Sequence, residues 1–128
     1  MVCDPSAAVA LMLDAGPDGR WATGAVTGTE LVAPSLFSFE AANIVRRHEL
    51  AGLISTDQAA QAHADLLDLV IEYWPYDLLV PRVWQLRPNL TTYDASYVAL
   101  AELLGVALVT LDRRIARTPD VRCTIMTP

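Results

Sequence analysis

The chain has 128 residues, the size of one ordinary domain, and we expect residues 1–128 to form a single domain. Apolar residues make up 53% of it and charged residues only 19%, which excludes a disordered chain. No apolar run approaches the ~18 residues of a membrane span, and no basic segment precedes an apolar stretch at the N-terminus. These features predict a cytoplasmic protein without a membrane partner. All nine basic residues are arginine, which excludes a P-loop and lysine Schiff-base catalysis.

Turn residues divide the first half of the chain into short elements. Val2 and Cys3 predict a strand that ends in the turn residues Asp4-Pro5-Ser6. The pattern then predicts helices at 7–14 and 18–25, a strand at 31–33, a helix from 35 to about 52, and a helix that begins at Ser55. Ser55 and Gln58 have the spacing of a capping box, which supports the last of these helices.

The second half continues the alternation of strands and helices. It predicts a strand at 70–74, a helix at 83–87, a helix at 93–104, a strand at 106–110, a helical turn at 113–116 and a last strand at 123–126. Strands that alternate with helices pair in parallel through right-handed crossovers. We therefore expect an α/β domain of three layers, α/β/α, with a short and mostly parallel central sheet.

Four carboxylates stand at element ends that this topology brings together. Asp4 follows the first strand and Asp112 follows the strand at 106–110, and ligands of parallel sheets bind beyond the carboxyl ends of the strands. Asp94 lies in the first turn of its helix, where it could also serve only to complement the helix dipole. Glu40 lies early in a helix among apolar residues, an unusual position for an idle carboxylate.

Such a group of acids requires protons or a divalent cation to relieve its repulsion, which is about 4 kcal/mol per pair at ~4 Å and an effective dielectric near 20. Oxygen ligands without a nearby histidine or cysteine favour Mg²⁺ or Mn²⁺ over zinc. Mg²⁺ combines few carboxylates with water and substrate phosphate oxygens. The acids therefore predict hydrolysis of a phosphodiester by metal-activated water, with one or two ions.

Four segments resemble the PIN-domain ribonucleases, and especially the VapC-type toxins of bacterial toxin–antitoxin pairs. They are Val-Cys-Asp-Pro-Ser-Ala at 2–7, Phe-Glu-Ala-Ala-Asn at 39–43, Leu-Thr-Thr-Tyr-Asp-Ala-Ser-Tyr-Val-Ala-Leu-Ala at 90–101, and Leu-Val-Thr-Leu-Asp at 108–112. The resemblance implies a PIN fold, a Mg²⁺-dependent endoribonuclease (with Mn²⁺ as a substitute), and inhibition by a cognate antitoxin. The sequence departs from the family pattern only at Cys3 and Pro5, and neither change removes a carboxylate.

The resemblance also implies roles for individual residues. It makes Asp4, Glu40, Asp94 and Asp112 the catalytic acids, with Asp4, Asp94 and Asp112 as metal ligands and Glu40 acting through water or helping to activate the nucleophile. Ser6 and Thr110 match supporting hydroxyl positions near the site, although either is also an ordinary turn or strand residue. The alternative function is a non-catalytic PIN-like module that binds RNA or protein through the same surface.

The net charge of −6 is unfavourable for an RNA-binding protein, since affinity for RNA comes largely from neutralised phosphates. Two bound divalent ions would add a charge of +4 and leave a net charge of −2. Arginines near the acids are candidates for RNA contacts, or else solvated helix ends: Arg46, Arg47, Arg113 and Arg114.

Aromatic residues and the apolar content lead to two further expectations. Trp21, Trp74, Trp84 and Tyr76 are candidates for the core. The high apolar content also leaves room for interfaces, and the resemblance supports a homodimer and a groove for the antitoxin.

Overall fold

The computed structural model describes all residues from Met1 to Pro128. The strands are β1 (Val2–Cys3), β2 (Leu31–Pro34), β3 (Ile71–Trp74), β4 (Leu108–Val109) and β5 (Ile125–Met126). The helices are α1 (Pro5–Leu13), α2 (Pro17–Val26), α3 (Phe37–Leu50), α4 (Thr56–Asp68), α5 (Val80–Leu86) and α6 (Thr92–Leu104). Short 3₁₀ turns follow β3 at Tyr76–Leu78 and β4 at Ile115–Arg117. No helix is both long and apolar enough to cross a bilayer.

The five strands form one sheet in the order β3-β2-β1-β4-β5, and all four neighbouring pairs are parallel. From β1 to β2 to β3 the chain adds strands towards one edge of the sheet. The connection from β3 to β4 then crosses back over β2 and β1, so that β4 pairs with the other side of β1. Because such crossovers are right-handed, α1–α4 cover one face of the sheet and α5–α6 cover the other. The expected α/β class with three layers is confirmed.

The reversal of direction places the carboxyl ends of β1 and β4 side by side at the switch point of the sheet. In an open parallel sheet this is where a crevice forms and where ligands bind. The paired residues Cys3 and Val109 are the last of their strands. Asp4 and Thr110 follow them directly, so both side chains belong to this crevice.

Helix α6 is the most buried helix and fixes the other side of the crevice. All seven residues from Ala95 to Ala101 are buried. Thr91 caps its N-terminus by accepting a hydrogen bond from the Asp94 backbone N–H, and Gly105 ends it in a left-handed conformation at φ 66°. Asp94 therefore projects from the first turn of a helix that is held rigidly by its packing.

Several element bounds differ from the sequence-based prediction. Helix α1 begins at Pro5 rather than at residue 7, because the Asp4 side chain accepts from the Ser6 N–H and proline is tolerated at the first helical position. Strands β4 and β5 have only two residues each, shorter than predicted. Strand β4 starts late because the Val106 N–H still bonds to the end of α6 at Ala101.

Helix α5 begins at Val80, three residues before the predicted start, with a proline in its first turn where no hydrogen bond is lost. The helical turn predicted at 113–116 is the 3₁₀ turn at Ile115–Arg117.

Two of the four aromatic core candidates were wrong. Trp21 and Trp74 pack partly buried against the core, but Trp84 is 61% exposed and Tyr76 is 42% exposed. Trp84 lies on the outer side of the short helix α5, where the Arg87 guanidinium covers its ring at 4.7 Å from the centroid. Tyr76 lies in the turn beyond the end of β3, outside the sheet that would bury it.

Candidate active site

Asp4 is held in place by the elements on both sides of it. Its backbone N–H donates to the Val109 carbonyl of β4 at 3.0 Å, and its Oδ1 accepts from the Ser6 backbone N–H at 2.8 Å and from the Ser6 hydroxyl. The residue is only 8% exposed. Burial raises the pKa of the Asp4 carboxyl, although its hydrogen bonds from Ser6 oppose the shift. The carboxylate is thus rigid and poorly hydrated.

Ser6 and Thr110 join the ends of β1 and β4 by hydroxyl groups. The Ser6 Oγ accepts from the Leu111 backbone N–H at 3.0 Å and lies 3.4 Å from the Thr110 Oγ1. The Thr110 Oγ1 accepts from the Asp112 backbone N–H at 3.0 Å. These bonds set the path of the chain from β4 to Asp112, which explains the presence of a small hydroxyl residue at each position.

Glu40 reaches the crevice from α3 and is bonded to α6. Its Oε1 accepts a hydrogen bond of 2.7 Å from the hydroxyl of Tyr97, which is fully buried. Burial raises the pKa of the Glu40 carboxyl, the Tyr97 hydrogen bond lowers it, and the charges of Asp4 and Asp94 raise it further. Glu40 is therefore an oriented carboxylate that protonates more readily than an ordinary one.

Asp94 and Asp112 have opposite electrostatic surroundings. Burial raises the pKa of the Asp94 carboxyl, and the charge of Asp112 raises it further. The pKa of Asp112 is lowered because the Arg114 side chain donates to both of its carboxylate oxygens. In this structure Asp112 is thus neutralised by a neighbouring arginine, whereas Asp94 has only a distant counter-charge.

The acids line one cavity of about 690 Å³, called here the acid cavity: Asp4, Glu40, Asp94 and Asp112. Asp94 is the centre of this set, since its charge raises the pKa of both Asp4 and Glu40 while its own pKa responds to Asp112. No three of the acids converge closely enough to share one metal ion as they lie. Ser6, Tyr97 and Arg114 each donate a hydrogen bond to one of the carboxylates. The oxygen donor set nevertheless fits a hard divalent cation.

Comparison with known proteins decides the family. A model of the PIN domain matches residues 1–121. The chain belongs to the PIN domain family. It is 37% identical over 125 residues to Ribonuclease VapC9 of Mycobacterium tuberculosis, which covers 98% of this chain and 95% of that protein. It is also 37% identical over 118 residues to Ribonuclease VapC12 of the same species, which covers 92% of this chain and 91% of that protein.

Solved structures of related proteins have the same fold. The PIN domain described here matches VapC20 of Mycobacterium tuberculosis, a sarcin-ricin loop cleaving toxin, with a TM-score of 0.68 at 16% identity, covering 92% of this chain and 94% of that one. It matches a toxin–antitoxin complex from Klebsiella pneumoniae with a TM-score of 0.66 at 17% identity, covering 99% and 96% of the two chains. At these identities the similarity concerns the fold, and it confirms the predicted PIN architecture.

The arginines selected from the sequence do not all face the acid cavity of this PIN domain. Arg47 lines the cavity. Arg46 is its neighbour on α3 but lies at a different cavity, between α3 and α4. Arg114 is bound to Asp112, and Arg113 is exposed and does not contact that carboxylate. Of the four, Arg47 is the one that lines the acid cavity and has no carboxylate partner.

Sequence reasoning missed three residues of this region. The sequence assigned Tyr97 no role beyond its place in the family segment, because its bond to Glu40 depends on packing between α6 and α3. The available signal was its spacing of three residues from Asp94, which places both on one side of the helix. Phe39 and Tyr93 also line the acid cavity. Their positions next to Glu40 and Asp94 were the available signal.

Proposed function

We propose that this PIN domain is an endoribonuclease toxin of a toxin–antitoxin pair that hydrolyses RNA phosphodiester bonds in the acid cavity. The observation that carries the proposal is the set of four coupled carboxylates at the switch point of the sheet. Membership of the PIN family and the similarity to proteins named VapC ribonucleases support the same activity.

Asp4, Asp94 and Asp112 are the residues that would hold Mg²⁺, with Mn²⁺ expected to substitute. A bound divalent ion would offset the repulsion among the acids and supply a Lewis acid for water and for the phosphate. Asp4 and Asp94 are presented by the end of a strand and by a buried helix, so little conformational entropy is lost when they bind a ligand. Asp112 has to exchange the Arg114 side chain for its new partner.

The remaining residues of the cavity orient the substrate and move the proton. Glu40, whose orientation is set by Tyr97, takes the proton of the attacking water, and its raised pKa makes it a stronger base than an ordinary carboxylate. Arg47 is placed to neutralise a phosphate that enters the negatively charged cavity.

The decisive experiment is cleavage of a mixed RNA pool, followed by sequencing of the new 5′ ends. We expect cleavage with Mg²⁺ and none after chelation, and none with Asp94→Asn. Asp57→Asn is the matched control because Asp57 also lies in the first turn of a helix but does not line the acid cavity. The alternative of a non-catalytic binding module predicts that the pool is bound and stays intact with every protein.

We propose that exposed apolar side chains form the interfaces with the antitoxin and with a second copy of the chain. One group lies on the α3–α4 side of the molecule, with Leu50, Leu53 and Leu67 each more than 60% exposed. A second group lies around α5, with Leu78 and Trp84 each more than 50% exposed. Light scattering of the isolated chain, alone and with the co-expressed antitoxin, measures both assemblies.

A further inference from the structure

A second cavity, of about 440 Å³, lies beside the acid cavity at the ends of β2 and β3. Three aromatic rings line it, from Phe39, Tyr76 and Tyr93, and Pro34 and Leu36 line it between them. We call it the aromatic cavity. Phe39 and Tyr93 line both cavities, so the two cavities adjoin each other at these rings.

The rings of the aromatic cavity are exposed to an unusual degree. Phe39 is 80% exposed, Tyr93 is 61% exposed and Tyr76 is 42% exposed. The chain has only nine aromatic residues, and three of the five that are exposed line this one cavity. A site of this kind offers ring faces for stacking rather than packing for stability.

The chemistry of the lining selects one kind of occupant. None of the residues that line the aromatic cavity is charged, so it does not attract a phosphate or a charged side chain. The exposed surface of the lining is almost entirely apolar, and the Ser35 hydroxyl already donates to the Trp74 carbonyl at 3.0 Å. A nucleobase has a planar π face that stacks on such rings, and the cavity shares Phe39 and Tyr93 with the proposed site of phosphate cleavage.

We propose that the aromatic cavity binds an unpaired RNA base adjacent to the phosphate that is cleaved in the acid cavity, an inference that rests on the proposed function. The base stacks on Tyr93 or Phe39 and enters towards Tyr76, while its phosphate lies over the acids. A base can enter the cavity only when it is unpaired, because a paired base is held in its helix.

The test measures binding by a protein that does not cleave, Asp94→Asn, with two probes of equal length. One is a mixed-sequence single-stranded RNA of twelve nucleotides, and the other is an abasic ribose-phosphate chain. The RNA is expected to bind on the order of tenfold more tightly than the abasic chain, the range that stacking of a base gives. Adding Tyr76→Leu removes most of this difference, and adding Tyr76→Phe preserves it because the ring is retained.

Tyr73→Leu is the matched control. Tyr73 is 44% exposed, close to the value of Tyr76, but it lies on β3 and does not line the aromatic cavity. It should leave the preference for RNA unchanged. Circular dichroism checks that each variant is folded, and the abasic comparison with unaltered rings tests the proposal even where a variant does not fold.

The outcomes separate this inference from the proposed function. If the wild-type protein cleaves RNA but binds the abasic chain as tightly as RNA, the base site is refuted and the ribonuclease stands. If RNA is preferred over the abasic chain and never cleaved, the base site stands and the ribonuclease fails. If Tyr76→Leu leaves RNA binding unchanged and weakens only inhibition by the antitoxin, the cavity belongs to a protein segment and the proposal is overturned.

Discussion

The hydroxyl of Tyr97 donates a hydrogen bond of 2.7 Å to the Oε1 of Glu40, which joins helices α6 and α3 across 57 residues of sequence. Tyr97 is fully buried and Glu40 is half-buried at the edge of the acid cavity. The bond therefore fixes the direction of a carboxylate that would otherwise be free to turn. It also lowers the pKa of Glu40 against the effect of burial.

Tyr97→Phe removes this donor and keeps the ring. We expect RNA cleavage to fall by about tenfold, a cost typical of a misplaced catalytic group, and the acid limb of the pH–rate profile to move to higher pH because the pKa of Glu40 rises. The free energy of unfolding should change by only about 1 kcal/mol. Tyr73→Phe removes a hydroxyl that bonds to Ser38 and not to an acid, so its pH–rate profile should match that of the wild type. An unshifted profile for Tyr97→Phe contradicts the positioning role.

The acids of the cavity also predict how stability depends on pH. Asp4, Glu40 and Asp94 have pKa values raised by burial, so the folded state binds their protons more tightly than the unfolded state does. Their stabilising contribution is complete below the ordinary carboxyl pKa of about 4 and is lost as the pH rises through the raised values. Asp112 and Glu102 act in the opposite direction, since arginine partners lower their pKa values.

Asp94→Asn should therefore stabilise the chelator-treated protein at neutral pH by roughly 1 kcal/mol, since it removes the central charge of the set. Mg²⁺ at a hundredfold excess over Kd should stabilise the wild type by about 2.7 kcal/mol and so raise its melting temperature. It should not raise the melting temperature of Asp94→Asn. Thermal melts at several pH values measure both effects. Asp57→Asn, which loses only a helix-dipole contribution, should not stabilise the protein. A neutral or negative effect of Asp94→Asn would falsify the proposed repulsion.

The glycines of α2 differ in what surrounds them. A Cβ at Gly19 would lie 1.7 Å from the Asp14 carbonyl oxygen, whereas a Cβ at Gly24 would meet nothing within 4 Å. We expect Gly19→Ala to cost about 2 kcal/mol or more, because the backbone has to move. Gly24→Ala should stabilise the helix by up to about 1 kcal/mol. Urea unfolding compares the two variants, and equal effects would show that the close approach of α1 and α2 is not required.

The sequence predicted the order of the elements well because each one has a local signal. Ser55 and Gln58 form the predicted capping box, and α6 ends at Leu104 as predicted, where Gly105 caps it. The lengths of β4 and β5 were overestimated, because apolar residues such as Val106 pack against the core without joining the sheet. Gly19 permits the close packing of α1 and α2, which no local pattern in the sequence reveals.

The acids were selected from element ends and from the family segments, and the structure brings them to one cavity. Their partners could not be selected in this way. The bond from Tyr97 to Glu40 depends on how two distant helices pack, and the fork from Arg114 to Asp112 depends on a side-chain conformation. Arg46 and Arg47 are adjacent in sequence but point to different cavities, a distinction that requires the rotation of α3 about its axis.

This pair of arginines gives a matched test of RNA binding. Arg47→Gln should weaken binding of single-stranded RNA, and should reduce the slope of log affinity against log salt by about 0.7, the value for one phosphate contact on a single strand. Arg46→Gln removes the same charge on the side of α3 that faces α4 and should leave the slope unchanged. Titrations at several salt concentrations measure the slopes. Equal slopes for the two variants would show that only the overall charge matters.

The hydrogen bonds from Arg114 to Asp112 place an arginine in competition with a metal ion for this carboxylate. In this structure the Arg114 Nε donates to both carboxylate oxygens of Asp112, at 2.9 and 3.1 Å, so a metal ion has to displace the arginine before it gains this ligand. Arg114→Gln should tighten the binding of Mn²⁺ to the RNA-free protein by about two- to threefold, a modest gain because Arg114 is exposed to solvent. Arg113→Gln removes an adjacent exposed charge that does not bind Asp112, so it should tighten the binding of Mn²⁺ less. Calorimetric titration with Mn²⁺ measures both. If Arg114→Gln binds Mn²⁺ no better than Arg113→Gln does, the arginine does not compete with the metal, and Asp112 is not a ligand whose availability limits binding.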